Sequence, residues 1–96
     1  GSTYAYPNPF SPNAEPVRIH YYTPAGSSAV TIEIFDFGMN RVRSLLRDAA
    51  RPAANEHDEL WDGRNDAGTI VANGSYLFRL QIDGGEPMYG KILVLQ

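Results

Sequence analysis

Hydrophobic and polar positions alternate along most of this chain. Val17, Ile19 and Tyr21 fall on one side of a two-residue period, with Arg18, His20 and Tyr22 on the other. That period predicts a half-buried strand over 17–23. Val30, Ile32 and Ile34 repeat it against Thr31, Glu33 and Phe35. Tyr76, Phe78, Leu80 and Ile82 alternate with Leu77, Arg79 and Gln81, which reads as the central strand of the chain. Glu56–Trp61 reads as a polar strand with Trp61 inward and Leu60 outward. Met88–Leu95 reads as the closing strand. Both faces of Ile92-Leu93-Val94-Leu95 are apolar, so one side is expected to meet the core and the other something else.

Arg41–Asp48 fits a strand or one helical turn. Its strand-turn-strand neighbours favour a strand over Arg41–Leu46, and 49–54 is then a loop stopped by Pro52. The turns fall at Pro24–Ser28, Asp36–Asn40, Asp62–Gly68, Asn73–Ser75 and Asp83–Glu86. Gly38 is expected to supply a positive φ in the second of these. Pro7, Pro9 and Pro12 exclude a helix near the start. Residues 4–13 therefore read as an edge segment pinned by Tyr4, Tyr6 and Phe10, its prolines blunting the edge; an aromatic-proline ligand strip is the alternative. Six or seven short strands with Gly, Pro and Asn turns predict an all-β, antiparallel Ig-like sandwich.

Length and composition narrow the classes. At 96 residues the chain can close one sandwich, burying roughly 60–70% of the surface its unfolded form exposes. Residues 4–96 read as that single domain. Gly1-Ser2-Thr3 reads as a cloning remnant or linker, so the domain looks cut from something longer. The composition is 43% hydrophobic and 20% charged, as in a globular domain rather than a disordered segment. A net charge of −3 argues against nucleic acid as partner. No apolar run reaches the roughly 20 residues of a membrane helix, and no signal peptide is recognisable. The absence of cysteine removes disulfides, Cys-zinc sites and Cys nucleophiles together.

Candidate chemistry is sparse. His20 and His57 are the only histidines and lack metal spacing; His20 reads as a solvated surface side chain. Asp62, Arg64, Asp66 and Gly68 resemble a calcium loop superficially, but Arg64 occupies a ligand position that needs oxygen. A β-turn capped by Asp62 and Asn65 is the better reading. Arg41, Arg43, Arg47 and Arg51 form a basic stripe, and Glu56, Asp58, Glu59 and Asp62 are its electrostatic counterpart. Asp58 and Glu59, adjacent in a strand, face opposite sides and cannot act as a catalytic pair. Ser44 and Ser75 lack a histidine–carboxylate partner in local spacing. Lys91, the only lysine, is the one candidate donor for an isopeptide crosslink, which would need it desolvated. No catalytic residue, metal or cofactor is assigned.

Taken in order, the motifs resemble one family. Tyr6-Pro7-Asn8-Pro9-Phe10 is similar to the opening of bacterial C-terminal Ig-like domains. Val30–Asp36 with Gly38 and Val42 resembles their first strand-turn-strand. Trp61-Asp62-Gly63, with Gly68, Val71, Gly74 and Tyr76, resembles their WDG hairpin, and Lys91–Leu95 their closing strand. The family is the Ig-like domain named after the flagellar hook-capping protein, close to the sorting domains of type IX secretion. The resemblance implies a non-catalytic module of a larger exported bacterial protein, serving sorting, surface attachment or structural support. Its partners would be upstream domains of the parent protein and secretion machinery or cell-surface components, without membrane insertion. Its place would be secreted, on the cell surface, or periplasmic in transit. The single terminal lysine and the full WDG hairpin depart from the sorting pattern. Alternatives are a carbohydrate- or protein-binding accessory module using Tyr4, Tyr22 and Tyr89, or an assembly subunit pairing through an edge strand.

Overall fold

The computed structural model describes residues 3–24, 28–52 and 56–96. The Pro24–Ser28 turn, the end of the 49–54 loop and Gly1-Ser2 fall wholly or partly outside them. Seven strands occur among the described residues: β1 (Tyr4–Tyr6), β2 (Val17–Tyr22), β3 (Ser28–Asp36), β4 (Arg41–Arg51), β5 (Glu56–Trp61), β6 (Gly74–Ile82) and β7 (Met88–Val94). They form two antiparallel sheets, β1-β2-β5 and β4-β3-β6-β7, packed face to face as an Ig-like sandwich.

The two-residue period builds the core as expected. Val17, Ile19 and Tyr21 from one sheet meet Val30, Ile32, Ile34, Phe78, Leu80, Ile92 and Val94 from the other, all without solvent exposure. Trp61 closes one end, its ring centroid 5.8 Å from those of Phe10 and Tyr76. Tyr76 Oη donates to the Ala72 carbonyl at 2.6 Å, the corner that Ig-like sandwiches place at the start of this strand. β6 lies between β3 and β7, the central place its alternation predicts. A Cβ on Gly90 would collide with the Phe78 ring that covers it from the neighbouring strand.

The entry segment serves both sheets. Tyr4–Tyr6 pairs with β2. After cis bonds at Tyr6-Pro7 and Asn8-Pro9 the chain crosses to β7, where Phe10 bridges Val94 in parallel. Phe10 N–H donates to Leu93 O at 2.9 Å and its carbonyl accepts from Leu95 N–H at 3.0 Å. Asn8 adds a backbone-like pair, Nδ2 to Lys91 O and Oδ1 from Leu93 N–H, both 2.8 Å.

Three local expectations are corrected. β4 does not stop at Leu46 but runs to Arg51, with register shifts along its pairing to β3 and Asp48 at φ 44°. Ala49 and Ala50 belong to the ladder because a bulge absorbs the misfit that a regular strand could not. Of the three aromatics Phe10 alone is buried in the core, since Tyr4 and Tyr6 are 50% and 39% exposed and Ala5 between them packs on the core instead. In the Asp36–Asn40 turn the positive φ is at Met39 (66°), not Gly38. Asp36 Oδ1 accepts the N–H groups of Gly38 and Asn40, each at 2.9 Å, and a Cβ on Gly38 would crowd Asn40 Nδ2 at 3.2 Å.

Candidate functional site

The Trp61–Gly68 stretch is a self-satisfied turn. Trp61 Nε1 donates to Arg64 O at 2.9 Å. Asp62 Oδ1 accepts the Arg64 N–H, and Asn65 Oδ1 accepts those of Ala67 and Thr69, all at 3.0 Å. Arg64 Nη1 closes back on Gly68 O at 2.7 Å. Asp62 Oδ1, Asn65 Oδ1 and Gly68 O, oxygens a cation would need, are thus engaged by N–H groups, and a guanidinium spans the turn. Among the described residues no group of three His, Cys, Asp or Glu side chains could hold a metal ion. Gly63 has φ 78°, and a Cβ there would lie 2.6 Å from Pro12 Cγ, so turn and entry loop are in direct contact. Gly68 and Gly74 also take positive φ, 87° and 151°. The turn docks on β4 through Asp66, whose N–H donates to Val42 O and whose Oδ1 accepts Ser44 N–H.

Asp58 and Glu59 face opposite sides of β5 and build two separate clusters. Inward, Glu59 accepts Tyr21 Oη at 2.6 Å and holds Arg51 in a fork, Nε at 2.6 Å and Nη2 at 3.0 Å. Burial alone would raise the Glu59 carboxyl, but the Arg51 and Tyr21 hydrogen bonds outweigh it and hold it below the usual range. Burial and then the Glu59 bond push the Tyr21 phenol up, and the Glu59 bond raises Arg51. His57 packs on Tyr21, with centroids 5.2 Å apart, and lies 3.0 Å from Thr23 Oγ1.

Outward, His20 Nδ1 lies 2.7 Å from Asp58 Oδ1 and Nε2 lies 3.4 Å from Glu56. Tyr6 Oη donates to Asp58 Oδ2 at 2.9 Å, and Tyr4 stacks over the imidazole at 4.9 Å. Desolvation would raise Asp58, but the bonds from His20 and Tyr6 prevail and keep it low; the same Tyr6–Asp58 bond raises the Tyr6 phenol. His20 is therefore not a solvated side chain: it is 17% exposed and lies under Tyr4. Tyr4-Ala5-Tyr6 carried the signal, since alternation puts both tyrosines on the face opposite Ala5.

The residues expected to form an interaction surface do not come together. Tyr4 and Tyr22 lie on the outer face of the three-stranded sheet. Tyr89, 52% exposed, and Lys91 are on β7 of the other sheet. Lys91 is exposed, so the desolvated donor that an isopeptide bond requires is absent. The arginine stripe pairs with the acidic run only in part. Arg51 meets Glu59 and Arg43 meets Asp62, but Arg41 reaches Glu33 on its neighbouring strand and Arg47 bonds Ser44. An open groove of about 520 Å³ lies beside Pro12, Pro16 and Leu60, rimmed by Glu15, Arg43 and Asp62.

A family model described as the FlgD Ig-like domain matches residues 8–86. The chain belongs to the FlgD Ig-like domain family. The match begins at Asn8, on the segment that crosses between the sheets, and takes in the WDG turn and Tyr76. Among solved structures, this FlgD Ig-like domain is similar to PorZ of Porphyromonas gingivalis, described as an essential bacterial surface component of the type IX secretion system. The TM-score is 0.61 at 22% identity, over 99% of this chain and 12% of PorZ. At that identity the likeness is one of fold. The chain spans about 12% of the length of the solved protein it matches. No curated protein matches this FlgD Ig-like domain.

Proposed function

We propose that this FlgD Ig-like domain is a non-catalytic accessory module of a larger exported bacterial protein, acting in secretion or at the cell surface. Family membership over residues 8–86 carries the reading. The chemistry of the chain supports it. Both histidines are committed to neighbouring side chains, and the acidic turn satisfies itself. Ser44 Oγ accepts a hydrogen bond from Arg47 and not from a histidine, so this hydroxyl is not paired with a base. The fold likeness to a surface component of type IX secretion favours export by a related route.

The test is an export assay in a bacterium with type IX secretion. A reporter carrying a signal peptide is joined upstream of the chain and its location is measured by fractionation. The expected result is reporter outside the cell with the domain and in the periplasm without it; equal distribution overturns a sorting role. Removing β7 is a poor version of this test, because Ile92 and Val94 are core residues and their loss unfolds the domain. Leu93→Asn with Leu95→Asn changes only the exposed side of the closing segment. That variant separates recognition of the closing strand from its structural role.

A further inference from the structure

The outer face of the β1-β2-β5 sheet carries a pattern that the export reading does not use. Tyr6 and Tyr4 on β1 and Tyr22 on β2 are 39%, 50% and 48% exposed. Register sets Tyr6 opposite Arg18, Tyr4 opposite His20 and Tyr22 opposite Glu56, so the three phenols follow one another along the face. Tyr4 lies stacked on His20 with 28° between the rings, one π-face on the imidazole and the other toward solvent. The Tyr6 centroid is 5.8 Å away, and its hydroxyl is tied to Asp58. Two rings are thus held side by side in advance, which removes part of the ordering cost of binding.

The charges on the same face select the kind of ligand. Cores of protein–protein interfaces are depleted in charged residues. This face instead carries Arg18 and His20 on its middle strand and Asp58 and Glu56 on the next. A dry apolar partner would strip water from all of them without replacing its hydrogen bonds. A ligand with flat C–H faces and its own hydroxyls can stack on the rings and still serve those groups. Polyanions are disfavoured, because Asp58 and Glu56 stand against Arg18 and the chain carries −3 overall. The spacing of the Tyr4 and Tyr6 rings is comparable to the repeat of one pyranose along an extended chain.

We propose that Tyr4, Tyr6 and Tyr22 form a stacking shelf for an uncharged polysaccharide, with Arg18 and Glu56 bonding its hydroxyls. Native gels cast with soluble β-glucan, xylan or galactomannan, and with alginate as the anionic comparison, test it on the intact chain. At least one neutral polymer should retard the protein, and alginate should not. Tyr4→Ala and Tyr22→Ala should each weaken retention about 10-fold. Tyr6→Phe, which keeps the ring but frees it from Asp58, should weaken it less than Tyr4→Ala. Tyr89→Ala on the opposite sheet should change it less than about twofold. Circular dichroism and thermal melts establish that each variant is folded. Absence of retardation by every neutral polymer overturns the proposal, as do tighter binding of alginate or equal loss with Tyr89→Ala. Capture of a protein through this face without polysaccharide binding overturns it as well. None of these outcomes bears on the reporter-export assay.

Discussion

The two open sides of the sandwich are closed by opposite means. Between β1 and β7 the polypeptide itself crosses from sheet to sheet, burying Phe10 and bonding Leu93 and Leu95 through its backbone. Between β4 and β5 the junction is made by side chains, the Arg51–Glu59 fork with Tyr21 and the Arg43–Asp62 pair. The first closure rests on apolar burial and neutral hydrogen bonds, so salt and pH should affect it little. The second rests on charge, and its strength depends on Glu59 staying ionised. The WDG turn touches both sides, with Gly63 against Pro12 and Asp66 against β4, so it joins the two closures.

Substitutions can weaken one closure at a time. Trp61→Ala removes the side chain that packs under Phe10 and Tyr76, and should cost about 3–5 kcal/mol in chemical denaturation. A stable Trp61→Ala protein would show that the closure between β1 and β7 does not depend on this ring. Gly63→Ala strains a φ of 78° and drives a methyl into Pro12, with an expected loss of about 1–3 kcal/mol.

Glu59→Gln should cost about 1.5–3 kcal/mol, because it removes the charge facing Arg51 and leaves one acceptor oxygen where Arg51 and Tyr21 now share two. It also carries a pH signature. The Glu59 carboxyl is held below its usual range, so its stabilisation is present above the unfolded value of about 4.3. That stabilisation is lost as pH falls through the lower, folded value. Urea midpoints followed from pH 6 downward should fall less steeply for Glu59→Gln than for the native chain; parallel curves would refute the charged closure.

Asn8→Ala removes two bonds to the β7 edge and should cost about 1 kcal/mol, equally at low and high salt. Arg43→Ala should cost less than about 1 kcal/mol, because its partner Asp62 is 53% exposed.

The contrast also explains what could be read from the sequence. Alternation located the core of both sheets, since Ile19, Ile34 and Phe78 follow a period that only a half-buried strand needs. Asp62 and Asn65 announced a capped turn because their bonds are local. The charged closure was illegible in its pairing. Arg41 and Arg51 lie on one strand with the same side chain, yet only Arg51 meets the acidic run, because a bulge and an 11-residue strand bring it beside Glu59. The tyrosine shelf was obscured for another reason. Tyr4, Tyr22 and Tyr89 are alike as exposed aromatics, and only sheet assignment separates the first two from the third.

The parallel run of the entry segment beside β7 has a mechanical consequence. Tension applied through the two ends of the chain pulls Asn8–Phe10 and Lys91–Leu95 in opposite directions along their common axis. The hydrogen bonds from Asn8 and Phe10 to that strand are then loaded together in shear rather than opened one by one. Phe10, seated in the core beside Trp61, must leave it before they can slip. A domain tethered at both ends would resist extension at this seam, and Asn8→Ala should lower the unfolding force in single-molecule pulling.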